Sequence, residues 1–294
     1  MTAHSMARSE THVSARVVSE TVALRAGSDS TIGVSLTMRP EWHIYGDTYN
    51  DTGMTPKFSW TLPTGVTVGD PIFPAPHRHV SPGDILDHIY EGTVTVLFPV
   101  QVKASAAIPK DAMIGVRVDL LVCSNACVPE TVTASMPLSV VPSAAPGETS
   151  KDAPLIAGAR ERLPARVPQH TIVSTSTPTS LTLTMPGASS LTFYPASDIP
   201  TPVNLLADAV ASKDTLTVRF EAPETETESR RVRGVLECAF PGLKNPVFIS
   251  INETLPAVKP VSKDATAVAP SPSKSTPESS SPTQPPQTPR TTTP

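Results

Sequence analysis

Alternation with a period of two residues constrains this chain more than any other feature. In TIGVSLTMR, Ile32, Val34, Leu36 and Met38 alternate with Thr31, Gly33, Ser35 and Thr37. In IGVRVDLLVC, Ile114, Val116, Val118, Leu120 and Val122 share one phase, and VTASMPLSV repeats the pattern through Val132, Ala134, Met136, Leu138 and Val140. Successive side chains of a strand point to opposite faces, so such a pattern marks strands with one buried face. No stretch of similar length carries an apolar stripe at helical spacing. The connections RAGSDS, NDTG and SPGD are turn-rich, so short strands joined by tight breaks predict an all-β sandwich or barrel.

The alternation predicts two β domains. The first spans 12–141, and the proline-punctuated segment VPSAAPGETSKDAPL (141–155) marks a linker, taken as 142–168, with one short helical turn at 155–163. Alternation resumes over 169–257, in Leu181, Leu183 and Met185, in Leu216, Val218 and Phe220, and in Val247, Ile249 and Ile251. LLADAVAS, at 205–212, is the best helix candidate there. From 258 onward proline, serine and threonine dominate, and a segment that buries so little apolar area is expected to stay disordered. Proline, at 34 of 294 residues, is concentrated in that tail and at the strand breaks.

Several functions are excluded early. No window approaches the roughly 18 apolar residues of a membrane-spanning helix. A net charge of −4 argues against nucleic-acid binding. Three cysteines are too few for a disulfide-dense scaffold. The opening MTAHSMARSETH shows no apolar core of a secretory signal.

The sharpest chemical feature is Cys123 and Cys127 in LVCSNACVPE. Closing a disulfide needs Cα atoms about 4.4–6.8 Å apart, so Ser124, Asn125 and Ala126 must turn the chain. Cys123 lies out of phase with the apolar set ending at Val122 and is expected to face away from the main core. A ring this small gains little from restricting the unfolded chain. That suits a redox pair better than a staple, although structural disulfides and metal sites also use this spacing. The absence of CxxC in a βαβ setting argues against a thioredoxin site.

The run RPEWHIYGDTYNDTGMTPKFSWTLPTGV, then FPAPHRH, IYEGTVTVLFPV and VCSNACVPE, closely resembles the N-terminal periplasmic domain of the thiol:disulfide interchange protein DsbD and its ScsB-like relatives. The resemblance covers about residues 12–140; LTFYPA and RGVLECAF in 170–255 are similar, on thinner grounds, to the second β domain of ScsB-like members. It implies an immunoglobulin-like β-sandwich, periplasmic in location, that relays electrons without a cofactor. Cys123 and Cys127 match the redox cysteines, with Cys127 the one presented to a partner. His43, Tyr45 and Tyr90 are the implied supporting residues, and the stretch from Phe73 to Tyr90 aligns with a loop that caps the pair. The implied partners are a membrane thiol-transport protein as electron donor and periplasmic disulfide-bearing clients. Full-length members continue into a membrane domain and a thioredoxin domain, whereas this chain runs into its proline-rich segment.

Physical chemistry gives the supporting residues content. A cationic imidazole at His43 would lower the pKa of a nearby thiolate, and the Tyr45 hydroxyl can donate to sulfur; the plainer alternative is that Trp42 and Tyr45 are packing residues and His43 a satisfied strand histidine. His77, His79 and His88, with Met54 and the cysteines, could bind Cu(I), or be a solvated loop. That alternative describes a non-catalytic binding module linked to copper tolerance, with the cysteines as ligands or as a fixed structural disulfide. Asp84, Asp87 and Glu91 read as turn and surface residues, and Cys238 as a packed core cysteine.

Overall fold

The computed structural model describes residues 11–143, 147–165, 172–222 and 228–258. The expected disordered tail and part of the expected linker lie outside the described residues. The first half of the chain is β1 (Val13–Ser19), β2 (Leu24–Arg25), β3 (Asp29–Met38), β4 (His43–Tyr45), β5 (Lys57–Thr61), β6 (Val66–Val68), β7 (His77–Ser81), β8 (Ile85–Glu91), β9 (Thr93–Val102), β10 (Met113–Cys123), β11 (Cys127–Pro137) and β12 (Val140–Val141). Helix α1 (Ala153–Glu161) follows, then β13 (Val173–Thr177), β14 (Ser180–Thr184), β15 (Ser190–Pro195), α2 (Leu205–Asp208), β16 (Val210–Ala211), β17 (Thr215–Arg219), β18 (Arg230–Ala239) and β19 (Val247–Leu255).

Two sheets enclose the first core. One runs β1-β3-β9-β6; the other runs β11-β10-β4-β8-β7, with β5 also paired to β10. The alternating sets meet between them: Ile32, Val34 and Leu36 of β3 and Val96, Phe98 and Val100 of β9 pack against Ile114, Val116, Val118 and Val122 of β10. A second pair of sheets, β13-β14-β17 and β16-β15-β18-β19, encloses Leu181, Leu183, Phe193, Leu216, Val218, Leu236 and Ile249. Cys238 is wholly buried in this second core, as its apolar flanks suggested, and burial pushes its thiol up to about 12.

Two features differ from the sequence reading. The expected linker carries a nine-residue helix, α1, with Pro154 in its first turn, where a missing N–H costs nothing. Ile156 and Ala159 of this helix pack on Val18 and Leu97, so β3 and its neighbours are covered on their outer face as well. Gly33 marks the contact, since a Cβ there would lie 2.9 Å from Ile156. The other candidate, at 205–212, forms only the four-residue α2 before the chain becomes β16.

Hairpin β7–β8 joins the two cores. Leu86 of β8 lies in the second core, the Arg78 guanidinium donates to the Leu206 carbonyl at 2.7 Å, and Tyr49 N–H donates to the Pro195 carbonyl at 2.8 Å. His88 is fully buried at this junction, edge-on to Tyr194 at 5.2 Å. Its Nδ1–H donates to the Tyr49 carbonyl at 2.7 Å, a tautomer assigned from that contact, and its Nε2 has no partner among the described residues. Burial pushes the imidazole down to about 4.

An unfolded histidine takes up its proton near pH 6.5, whereas folded His88 resists protonation until about 4. Stability from neutral His88 is therefore complete above about pH 7 and drains away as pH falls toward 4, by about 3 kcal/mol over the whole interval. Urea midpoints at pH 7 and pH 4.5 should show this loss, and His88→Asn should have a flatter pH dependence than the wild type. Equal slopes would remove His88 as the cause.

Candidate functional site

The cysteine pair closes the mouth of hairpin β10–β11. Ser124 N–H donates to the Ala126 carbonyl at 3.2 Å, turning the chain so that Cys123 and Cys127 become directly opposed in the strand register. They form a disulfide with Cα atoms 4.1 Å apart. The two sulfurs differ sharply in environment. Cys127 is exposed, whereas Cys123 is 2% exposed, packed with Tyr45, Ile89 and Leu121 in a small cluster separate from the main core.

Strand pairing places the remaining candidates. Cys123 is opposite His43 in β4, and His43 is opposite Glu91 in β8. Two register positions along, Tyr45 is opposite Ile89, which is opposite His77 of β7; two further on, Asp87 is opposite His79. Because alternate residues share a face, Cys123, His43, Tyr45, Ile89, Asp87, His77 and His79 lie on one side of this sheet. The stretch expected to cap the disulfide as a loop instead extends the sheet as hairpin β7–β8. The reason lies in SPGD: Gly83 and Asp84 take left-handed conformations, with φ of 91° and 61°, and close a tight turn between two strands.

Tyr45 makes the direct contact. Its hydroxyl donates to Cys123 Sγ at 3.0 Å and lies 3.5 Å from Cys127 Sγ. Burial raises the phenol pKa, so Tyr45 stays a protonated donor at neutral pH. Its ring is held by close approach of the backbone at Gly53, where φ is 67° and a Cβ would fall 2.2 Å from the ring. His43 sits edge-on to Tyr45 at 5.6 Å and 5.4 Å from the His79 ring. Burial first, and His79 second, push its pKa below the ordinary value. That shift favours the neutral imidazole while the disulfide is closed.

Other candidates fall elsewhere. Tyr90 is not brought to the sulfurs: it is one residue out of phase with Ile89, lies in the main core and donates to the Pro74 carbonyl at 2.5 Å. His88 shares that opposite phase and so does not join His77 and His79. Met54 is exposed, and among the described residues no group of three or more His, Cys, Asp or Glu is arranged to hold a metal ion. Asp84 and Glu91 are exposed, as expected of turn and surface residues. Asp87 corrects that expectation. It is 3% exposed and accepts from Thr52 N–H at 2.9 Å and from the Thr52 hydroxyl at 2.6 Å. Its place opposite His79 comes from the β7–β8 register, and its partner Thr52 lies in a loop whose path the sequence does not specify.

Fold and site together define a class: an all-β, immunoglobulin-like sandwich bearing a cross-strand cysteine pair at a hairpin mouth, one sulfur exposed and one buried. Residues 14–138 match the family described as thiol:disulfide interchange protein DsbD, N-terminal. The N-terminal periplasmic domain of ScsB from Proteus mirabilis shares the fold at 17% identity and a TM-score of 0.52, over 83% of this chain and 92% of that one. The major pilin subunit BcpA of Bacillus cereus aligns at 8% identity over 82% of this chain and 66% of that one, but a TM-score of 0.28 carries no argument. No curated protein matches the chain significantly. No helix among the described residues is long and apolar enough to cross a membrane.

Proposed function

We propose that the first domain performs thiol–disulfide exchange in the periplasm, passing reducing equivalents from a membrane thiol-transport protein to disulfide-bearing clients. The observation that carries this reading is the asymmetry of the pair, with an exposed Cys127 and a buried Cys123 that accepts a hydrogen bond from Tyr45. In the reductive direction a donor thiolate attacks Cys127 Sγ, the S–S bond breaks, and its electron pair remains on Cys123 Sγ as a thiolate. The Tyr45 hydroxyl is already placed to stabilise that charge, and hydrogen bonds to charged groups are roughly twice as strong as neutral ones. A second donor thiol, or Cys123 itself in the reverse reaction, resolves the mixed disulfide. No cofactor enters this chemistry.

Equilibration with dithiothreitol or glutathione buffers tests the reading. The Cys123–Cys127 disulfide should have a potential above about −300 mV, the level below which structural disulfides typically fall. A disulfide that stays closed well below that level would support the competing reading of a non-catalytic module with a structural staple. Stoichiometric retention of Cu(I) by the reduced protein against a mild chelator would support the copper-binding version of that module.

A further inference from the structure

Beyond the cysteines and Tyr45, a buried carboxylate is tied to the sulfurs by a continuous set of contacts. Asp87 Oδ1 accepts from Thr52 N–H at 2.9 Å, and Oδ2 accepts from the Thr52 hydroxyl at 2.6 Å. The Thr52 oxygen lies 3.5 Å from the Tyr45 hydroxyl, which reaches Cys123 Sγ at 3.0 Å. Gly53, the residue after Thr52, presses its backbone against the Tyr45 ring. The same loop is fastened to β8 on both sides of Asp87. Asp51 exchanges hydrogen bonds with Leu86, donating N–H to its carbonyl at 3.0 Å and accepting its N–H at 2.7 Å, and Asn50 Oδ1 accepts from His88 N–H at 2.7 Å.

We infer that Asp87 is a positioning residue for the exchange reaction: it anchors Thr52 and Gly53 against the Tyr45 ring and so fixes the Tyr45 hydroxyl at the sulfurs. The inference rests on the exchange reading and assigns to Asp87 a role that the cysteine spacing does not imply. Two hydrogen bonds donated by Thr52 to one carboxylate leave it a single orientation. The Thr52 hydrogen is committed to Asp87, so Thr52 does not donate to Tyr45, and the phenol hydrogen goes to Cys123 Sγ at 3.0 Å, the nearer acceptor, with the Thr52 oxygen at 3.5 Å. When an incoming thiolate attacks Cys127 Sγ, the S–S bond breaks and the electron pair moves to Cys123 Sγ. Tyr45 must already be in place at that instant, since a donor that first has to reorient adds to the barrier.

The test measures the second-order rate at which dithiothreitol reduces the intact oxidised protein, followed by the two-electron product dithiothreitol disulfide. Asp87→Ala loses both bonds to Thr52 and should slow reduction about tenfold, the equivalent of one hydrogen bond to a charged group. Asp87→Asn keeps an acceptor for Thr52 N–H and a donor for the Thr52 oxygen, and should recover most of the rate. In a Tyr45→Phe background Asp87→Ala should add less than about twofold, because the donor it positions is already gone. Thr52→Val, which leaves the backbone bond intact and removes only the hydroxyl, should slow reduction several-fold and serves if Asp87→Ala does not fold. An undiminished Asp87→Ala effect in the Tyr45→Phe background overturns the inference, as does an Asp87→Asn rate as low as that of Asp87→Ala, which would mark a direct effect of charge. Wild-type rates in both Asp87→Ala and Thr52→Val also overturn it. All of these leave the exchange reading standing, whereas a wild-type disulfide that dithiothreitol cannot reduce removes the reading itself.

Discussion

Cys123→Ser should leave a protein whose one exposed thiol, Cys127, is captured as a stable mixed disulfide, while Cys127→Ser should form almost none. The asymmetry follows from access. Cys127 is exposed, whereas Cys123 is 2% exposed beneath Tyr45, Ile89 and Leu121. Exchange needs a thiolate and a disulfide sulfur in line, and that approach exists only at Cys127. Reaching Cys123 requires local opening of the cluster. At about 3 kcal/mol for such an opening, its reaction should be about a hundredfold slower. Each variant would be reduced, mixed with excess glutathione disulfide, and followed by the mass gained. Cys238, wholly buried in the second core, supplies an internal comparison for an inaccessible thiol. Equal capture in both variants would show that the cluster does not protect Cys123, and the division of labour between the two sulfurs would be abandoned.

The second large effect is on stability. Phe98→Ala should cost about 3–5 kcal/mol, a large fraction of the 5–15 kcal/mol that holds most folded proteins together. Phe98, 1% exposed, projects from β9 into the space between the two sheets and meets Phe58 and Trp60 of β5 edge-on, each at 5.0 Å between ring centroids. Truncation leaves a cavity that rigid strands on both sides cannot close, and it removes two ring contacts worth about 0.5–1.5 kcal/mol each beyond their buried area. Phe98→Leu fills most of that volume and should lose much less. Chemical unfolding under oxidising conditions measures both, and Trp60 makes fluorescence report on this part of the core. A loss below about 1 kcal/mol for the alanine variant would mean that the sheets close over the gap, contrary to the usual incompressibility of a packed interior.

Legibility of the fold followed burial. Strands with one wet face announce themselves by alternation, and the sets around Ile32, Ile114 and Leu181 fell into β3, β10 and β14 for that reason. The reading was weaker where both faces are covered. In β3 a run from Ile32 to Leu36 is buried throughout because α1 lies on the outer face, and nothing in the strand's own pattern points to that helix. The helix was read as a single turn within a linker, since its stripe is only two buried residues, Ile156 and Ala159, long. At the site, the sequence spacing singled out Cys123 and Cys127, and the family resemblance pointed to His43 and Tyr45, but neither pointed to Asp87. A carboxylate becomes buried only when donors arrive from elsewhere, and those donors are the backbone and hydroxyl of Thr52, 35 residues away. Tyr90 shows the converse error: beside Ile89 in sequence, it is turned by strand alternation into the opposite layer.

Leu86 carries a consequence for how the chain can be divided. It belongs by sequence to the hairpin that flanks the cysteine pair, yet its side chain is sealed inside the second core, immediately before the aspartate that holds Thr52. The seam between the two sandwiches therefore does not run along the connection that follows β12; it passes through β8. Cutting the polypeptide at that connection would separate two sequences without separating two surfaces, and would strip an apolar side chain of its cover beside the redox pair. The natural unit for reconstitution, grafting or recombination is accordingly the tandem, not the cysteine-bearing sandwich alone.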